Sequence, residues 1–445
     1  MSYIPHTDAE RQQMLDAIGA TTIEDLFEAV PAAHRFPPLN LPAPLSEVEI
    51  AAELQALAEA NEHAADYSIF RGAGAYHHYI PAVVNHILLR GEFYTAYTPY
   101  QPEMSQGTLQ ATFEYQSIMC QLTGMDAANA SHYDGATSLA EAVTVAVDVG
   151  RGKRKKIVLS PYIHPQYRAV VRTYHQYSGL TITGDETPED GARPLDAIDQ
   201  DTAMVAVGYP NFFGQIEDIE ALAERAHSVG ALLVVVANPI ALGLFKSPGE
   251  LGADIVVGEG QPLGIPLSFG GPYLGYFACR SEYVRRIAGR IIGETVDADG
   301  KRAYVMTLRP REQDIRREKA SSNICTNQGL MALAAVVYLS AMGKHGLRKA
   351  AELCYHKAHY AADQIDRLPG YQVNRSRPFF NEFVVACPRP VSELNDRLIE
   401  HGIIGGYDLS EDYPHLKDHM LLCVTEMNRK DEIDALVALL KEASA

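Results

Sequence analysis

The chain has 445 residues, 47% of them hydrophobic and 21% charged, with 56 acidic against 38 basic side chains and a net charge of −18. This composition belongs to a folded globular chain and excludes disorder, collagen and a disulfide-stapled miniprotein. So acidic a surface repels phosphate backbones, which argues against broad nucleic-acid binding.

The cysteines are Cys120, Cys279, Cys325, Cys354, Cys387 and Cys423. They form no CxxC and suggest no local metal site, so buried thiols in a reducing compartment are expected. The start, MSYIPHTDAERQQ, has neither a basic n-region nor an apolar h-region. Ala231–Phe245, broken by Asn238-Pro239, and Leu330–Met342 are the longest apolar stretches, both short of the ~20 residues of a membrane span. A cytoplasmic chain with no membrane partner is expected.

Residues 1–66 hold twelve Asp and Glu against only Arg11 and Arg35. Helix formers over Ala9–Ile18 and Ser46–Asn61 flank a proline-rich stretch, Phe36–Pro44. The segment is predicted to be a helical arm with a solvated acidic face. Residues 67–105 are rich in Tyr, Gly and His, and Glu92–Ser105 shows no clean period. Aromatic loops of this kind pack against a partner or a pocket.

From Gly107 the pattern becomes regular. Helices are predicted from Gly107 to Gly124, from Ala136 to Gly150 and over Gln166–Tyr177. Another covers Ile219, Leu222, Ala223, Ala226 and Val229, stopped by Gly230. Apolar strands fall at Lys156–Ser160, Leu180–Thr183, Ala203–Gly208, Leu232–Val236 and Asp254–Val257. Such alternation means βα units on a mainly parallel sheet. A helix over Gln328–Met342 then leads to a smaller α/β domain. Its predicted helices are Gly346–Leu368, Val391–Glu400 and Asp431–Glu442, and its strands Asn381–Ala386 and His419–Val424. The expected division is 1–66, 67–342 and 343–445.

Short motifs are mostly uninformative. Gly258-Glu259-Gly260 lacks the third glycine of a dinucleotide fingerprint, and there is no HExxH, Walker loop or GxSxG. His77-His78 are adjacent, so their side chains point apart, and ordinary hydrogen-bonded histidines outweigh metal ligands. Arg151–Lys156 carries five basic residues in six and reads as a solvated turn rather than an anion patch. Asp134-Gly135-Ala136-Thr137-Ser138 opens a helix as a phosphate loop would, although on the turn alone a plain N-cap by Asp134 is favoured. Gly258–Gly275, with six glycines and three prolines, reads as a cofactor loop or a tight subunit interface.

Longer strings are more specific: Glu92–Glu103 (EFYTAYTPYQPE), Ser105–Thr108, GEGQPLGIPLSFGGPYLG, Arg311–Lys319 (REQDIRREK) and Ser322–Gln328 (SNICTNQ). Together they closely resemble the P-protein family of the glycine cleavage system, in its first (α-type) subunit of the two-subunit glycine dehydrogenase (decarboxylating). The resemblance covers essentially the whole chain. It implies a type I pyridoxal-phosphate-enzyme fold: α/β, with a mostly parallel seven-stranded sheet in a large domain and a smaller C-terminal α/β domain. It implies an α2β2 heterotetramer with a β-type glycine dehydrogenase subunit. That complex takes glycine, releases its carboxyl as CO2 and passes the aminomethyl group to the lipoyl arm of H-protein. Pyridoxal phosphate supplies the electron sink.

The residues depart from that chemistry at two points. No lysine lies between Lys246 and Lys301, and Gln261-Pro262 stand where the catalytic subunit has a His-Lys pair. Leu232–Ala237 is wholly apolar and is followed by Asn238, so the acid expected opposite the pyridine nitrogen is missing. The expectation is a chain with the fold but no cofactor of its own, the pyridoxal phosphate lying on the partner β subunit. Tyr97, Tyr100 and Glu103 are the expected contributions to the partner's site, and Gly270 and Gly271 its expected cofactor contacts. The alternatives are a purely structural scaffold or docking subunit for the lipoyl carrier, or an independent pyridoxal enzyme using another lysine.

Overall fold

The computed structural model describes residues 5–185 and 194–443. The chain divides into two compact units, Met1–Glu62 and His63–Ala445.

The first unit holds two helices, Asp8–Ile18 and Glu47–Glu59, with short 3-10 turns between them. Both helices open on a reciprocal capping box, Thr7 with Glu10 and Ser46 with Glu49. Their starts are therefore written locally and need no tertiary support. Among the described residues of this unit, Leu15 is the one buried side chain.

The second unit is built on a seven-stranded sheet. Across it the strands run Ala127–Ala128, Gly275–Cys279, Ile255–Glu259, Leu232–Ala237, Thr202–Tyr209, Lys156–Leu159 and Thr181–Thr183. Gly275–Cys279 is antiparallel to both neighbours, and the other four pairings are parallel. The central strands are buried along nearly their whole length, as parallel strands covered on both faces must be. Helices Gln106–Thr123, Gly135–Val149, Pro165–His175 and Ile219–Ser228 supply those covers. Gly124 ends the first of them in the left-handed region, at φ 71°.

The glycine-rich segment does two different things. At Gly258 a Cβ would collide with the Ala237 carbonyl oxygen, and at Gly275 one would collide with that of Asp134. These glycines let chains touch inside the body. Gly270 and Gly271 have φ 102° and 144° at an exposed tip, beside Phe269 at φ 51°. The strand Gly275–Cys279 and the hairpin Ile291–Val296 with Arg302–Thr307 were not legible as strands in the sequence.

The helix expected to end at Met342 does break there, and a second helical segment follows directly. Gly329–Ile365 runs on past a break at Gly343, where φ is 60° and ψ −179°. It is long and apolar enough to cross a bilayer by length and composition, unlike the stretches judged from sequence. Ala335, Tyr338, Cys354 and Ala362 along it are nevertheless fully buried, which makes it a core helix of this unit. It leads into a four-stranded antiparallel sheet, Gln372–Val373, Glu382–Ala386, His419–Cys423 and Tyr407–Asp408 in that order. Helices Val391–Ile399 and Lys430–Ala443 cover it.

Candidate functional site

Two places in the second unit gather polar side chains at the ends of strands. The first is a cleft at the carboxyl ends of Thr202–Tyr209, Leu232–Ala237 and Ile255–Glu259. Ligands of open α/β sheets sit at such strand ends. The cleft encloses about 80 Å3, less than the roughly 300 Å3 at which small-molecule pockets begin.

Its interior is occupied by the chain's own groups. The Gln261 side chain is buried behind the lining residues Tyr76 and Pro262: Nε2 donates to the carbonyl oxygens of Tyr76 (2.9 Å) and Ile265 (2.7 Å), while Oε1 accepts from Tyr76 N–H (2.9 Å). Pro262 lines the wall beside it. Asn238 Oδ1 accepts from Ile240 N–H at 2.9 Å, so this side chain fixes its own turn.

The helix start Gly135–Val149 carries the amides that the sequence suggested for phosphate. Asp134 caps it, accepting from Thr137 N–H at 2.7 Å. Glu259 fills what remains. Its carboxyl accepts from the N–H groups of Gly135 (3.1 Å), Gln261 (3.0 Å) and Leu274 (2.9 Å). Burial pushes this carboxyl up to about 8, against the pull of those three amides. Glu382, pushed by burial to about 7, accepts from Tyr76 O–H (2.9 Å) and Ala73 N–H (2.8 Å). His164 stacks on Tyr167 with ring centroids 5.1 Å apart. Its Nδ1 accepts from Gln166 N–H, so Nε2 bears the proton and donates to the Ala73 carbonyl at 2.9 Å.

The second place is a pocket of about 360 Å3, lined in part by Phe93, Tyr94, Tyr97, Thr98, Arg290 and Leu333. Three strings that carried the family resemblance converge here on one buried side chain, Arg290. Its guanidinium is paired with Glu312, donates to the Tyr100 hydroxyl oxygen (3.0 Å) and reaches Cys325 Sγ (3.0 Å). It lies 5.4 Å from the Tyr100 ring centroid, and Arg309 lies 5.3 Å from the same ring. Thr98 and Thr326 share a hydroxyl hydrogen bond of 2.6 Å. Gln106 holds the following helix to the hairpin through both its N–H and its carbonyl oxygen, each 2.9 Å from the Tyr304 backbone.

The expected site residues therefore fall in three settings. Tyr97 is 87% exposed at the pocket mouth, and Tyr100 is held by two arginines. Glu103 is exposed in the turn before Gln106. Gly270 and Gly271 form the exposed tip described above, and Gln261 and Pro262 sit at the closed cleft. Sequence reasoning missed Glu259, Glu382 and Arg290. Glu259 lies inside the glycine-rich string, where the glycines are the stronger signal. Arg290 follows Gly289 in a stretch with no periodicity to mark it.

A profile of the glycine cleavage system P-protein family matches residues 1–440. A probable glycine dehydrogenase (decarboxylating) subunit 1 from Thermomicrobium roseum is 57% identical over 449 residues, covering 100% of both chains. This chain belongs to the glycine cleavage system P-protein family. Another P-protein relative, the probable subunit 1 of Geobacillus kaustophilus, is 53% identical and covers 100% of this chain and 99% of its own. A crystal structure of the P-protein glycine decarboxylase in inhibitor-bound form superposes with a TM-score of 0.91 at 43% identity, covering 99% of this chain and 100% of that one. A sphingosine-1-phosphate lyase from Burkholderia pseudomallei shares the fold at a TM-score of 0.64 and 17% identity, over 93% of this chain and 94% of its own. The type I pyridoxal-phosphate fold expected from the sequence is the fold observed.

Proposed function

We propose that this chain is the cofactor-free α-type subunit of a two-subunit glycine decarboxylase, and that it completes the active site of its β-type partner. The observation that carries this reading is Gln261. It belongs to the Gln261-Pro262 pair that stands where the resemblance implies a His-Lys pair, and both ends of its amide are committed to the backbone of Tyr76 and Ile265.

The remaining residues do not fit pyridoxal phosphate either. Glu259 takes the Gly135 amide that a phosphate would use, and Asp134 beside it adds a second carboxyl. The occupied Gly135 amide and the Asp134 carboxyl both work against a phosphate dianion at this helix start. Asn238 offers no charge opposite a pyridinium. No catalytic step is therefore assigned to a cofactor on this chain. In the assembled enzyme the pyridoxal phosphate belongs to the partner, in the proposed α2β2 arrangement. That complex decarboxylates glycine and hands the aminomethyl group to lipoylated H-protein.

This chain's part is to wall and orient. Arg290 and Arg309 fix the Tyr100 ring. The Tyr100 hydroxyl accepts from Arg290 and keeps its own proton for donation. Tyr97 is exposed at the pocket mouth, and the Gly270-Gly271 tip, whose N–H groups bond back to the Leu267 and Ser268 carbonyls, lets a partner approach the backbone closely.

The test is absorption spectroscopy of the purified chain with added pyridoxal phosphate, then borohydride reduction and peptide mapping. No stoichiometric pyridoxyl-lysine is expected here, and one should appear on the partner. A stoichiometric adduct on this chain overturns the proposal.

A further inference from the structure

The first unit buries almost nothing. Among the described residues, thirteen exposed large apolar side chains lie in residues 5–62 and fifteen in all the rest of the chain. Helix Glu47–Glu59 has no buried residue at all. Ile50, Leu54 and Leu57 recur on it at helical spacing and are 44%, 59% and 60% exposed. The extended stretch before it carries Leu39 and Leu41, each 72% exposed. The thirteen side chains present apolar surface on the order of 1,000 Å2, comparable with the roughly 800 Å2 that each partner buries in a stable complex. Scattered surface leucines need no explanation, but a concentration of this size marks an interaction surface.

Charge selects the occupant. Residues 1–62 hold eleven carboxylates against Arg11 and Arg35, a net −9 that is half of the chain's −18. The remaining residues therefore also total −9. A second copy of this chain offers acid against acid, and like charges at an interface select against pairing. The surface instead fits a different polypeptide with an apolar groove rimmed by lysine and arginine.

We propose that the unit Met1–Glu62 is a docking arm whose apolar face, Leu39, Leu41, Ile50, Leu54 and Leu57, clasps the β-type partner subunit. This rests on the two-subunit reading above and assigns the segment that makes the contact.

Two full-length variants test it, Ile50→Gln with Leu54→Gln and Leu57→Gln, and separately Leu39→Gln with Leu41→Gln. Glutamine keeps helix propensity and removes only apolar surface. Affinity for the purified β-type subunit is measured by calorimetry, with circular dichroism and size analysis of each free variant. The proposal expects at least tenfold weaker binding by each variant, with unchanged dichroism, and stronger binding of the wild type at low salt. Weakening by less than tenfold overturns the docking arm while leaving the two-subunit reading intact. Failure of the wild-type chain to bind the β-type subunit overturns the two-subunit reading itself. Wild-type self-association that the glutamine variants abolish, with heteromeric binding intact, overturns the proposal in favour of a second copy.

Discussion

Glu259 is the residue whose chemistry reaches furthest. In the unfolded chain its carboxyl titrates near 4.5, and burial raises it to about 8 in the folded one. Below about 4.5 both states are protonated and burial of the group costs nothing in charge. From about 4.5 to 8 the unfolded state ionises while the folded state keeps its carboxyl protonated, so stability is lost across that window and levels off above 8. Glu382, raised to about 7, acts in the same sense. Thermal melts should therefore show the wild type losing stability from pH 5 to 8, and Glu259→Gln losing less over the same range. Parallel pH profiles would remove Glu259 from this account. Tyr97 belongs to the same scale but to activity. With 87% of it exposed in the isolated chain, Tyr97→Phe should leave the melting temperature unchanged. If its hydroxyl reaches a charged group in the partner's site, glycine–bicarbonate exchange by the assembled complex should fall roughly 10- to 150-fold. Tyr100→Phe should do both, slowing exchange and destabilising the chain, because Arg290 loses a hydrogen bond as well. Glu103→Gln is expected to slow exchange least of the three. Wild-type exchange rates in all three variants would leave the chain a scaffold.

At the scale of elements, the pocket loop is held by a buried ion pair. The Arg290 and Glu312 side chains are 4% and 5% exposed. Glu312→Gln leaves a buried guanidinium without its counter-charge and should cost about 3–5 kcal/mol, read as a loss in denaturant midpoint. The double variant Arg290→Met with Glu312→Leu should recover much of that loss, since apolar replacement of a whole pair is often tolerated. The core helix offers a second case. Gly343 sits at φ 60° and ψ −179°, a conformation that is essentially glycine's alone. Gly343→Ala should cost about 1–3 kcal/mol by the same measurement, although nothing crowds the new methyl. The sequence announced both halves as separate helices, which the break at Gly343 bears out, but not that they follow one another without a loop. Periodicity marks helical stretches, while the break depends on one backbone torsion. The strand Gly275–Cys279 was hidden for a related reason. It is short, fully buried and entered from a glycine-rich tip, so no alternation distinguishes it.

At the scale of the molecule, the parallel sheet was legible because buried βα units repeat an apolar signal five times over. The strands Glu382–Ala386 and His419–Cys423 near the carboxyl end were legible as short apolar runs between helices. What escaped was everything set by contacts distant in sequence. Glu259 meets Gly135 across 124 positions, and Tyr76 meets Glu382 across 306. No local pattern encodes such pairs. The lack of a lysine between Lys246 and Lys301 was visible, whereas the carboxyl that fills the Gly135 amide cradle was not. For the assembly, co-expression with a β-type subunit should give one species at the mass of an α2β2 complex by light scattering. Separate elution would count against the heteromeric reading.

On the cofactor-free reading proposed above, the carboxyl of Glu259 also makes cofactor chemistry hard to install. Gln261→Lys alone would place an ammonium in a cleft of about 80 Å3, two residues from one buried carboxyl and near another. Such a lysine is held in its protonated form by the carboxyls, and a protonated amine cannot condense with an aldehyde. Glu259→Ala alone would instead leave three buried amides without an acceptor. Each step back is unfavourable until the others have been taken. On that reading the cleft is an evolutionary ratchet: with the carboxyl settled in the amide cradle, substitutions in the outer loops are cheap while opening the cleft is not.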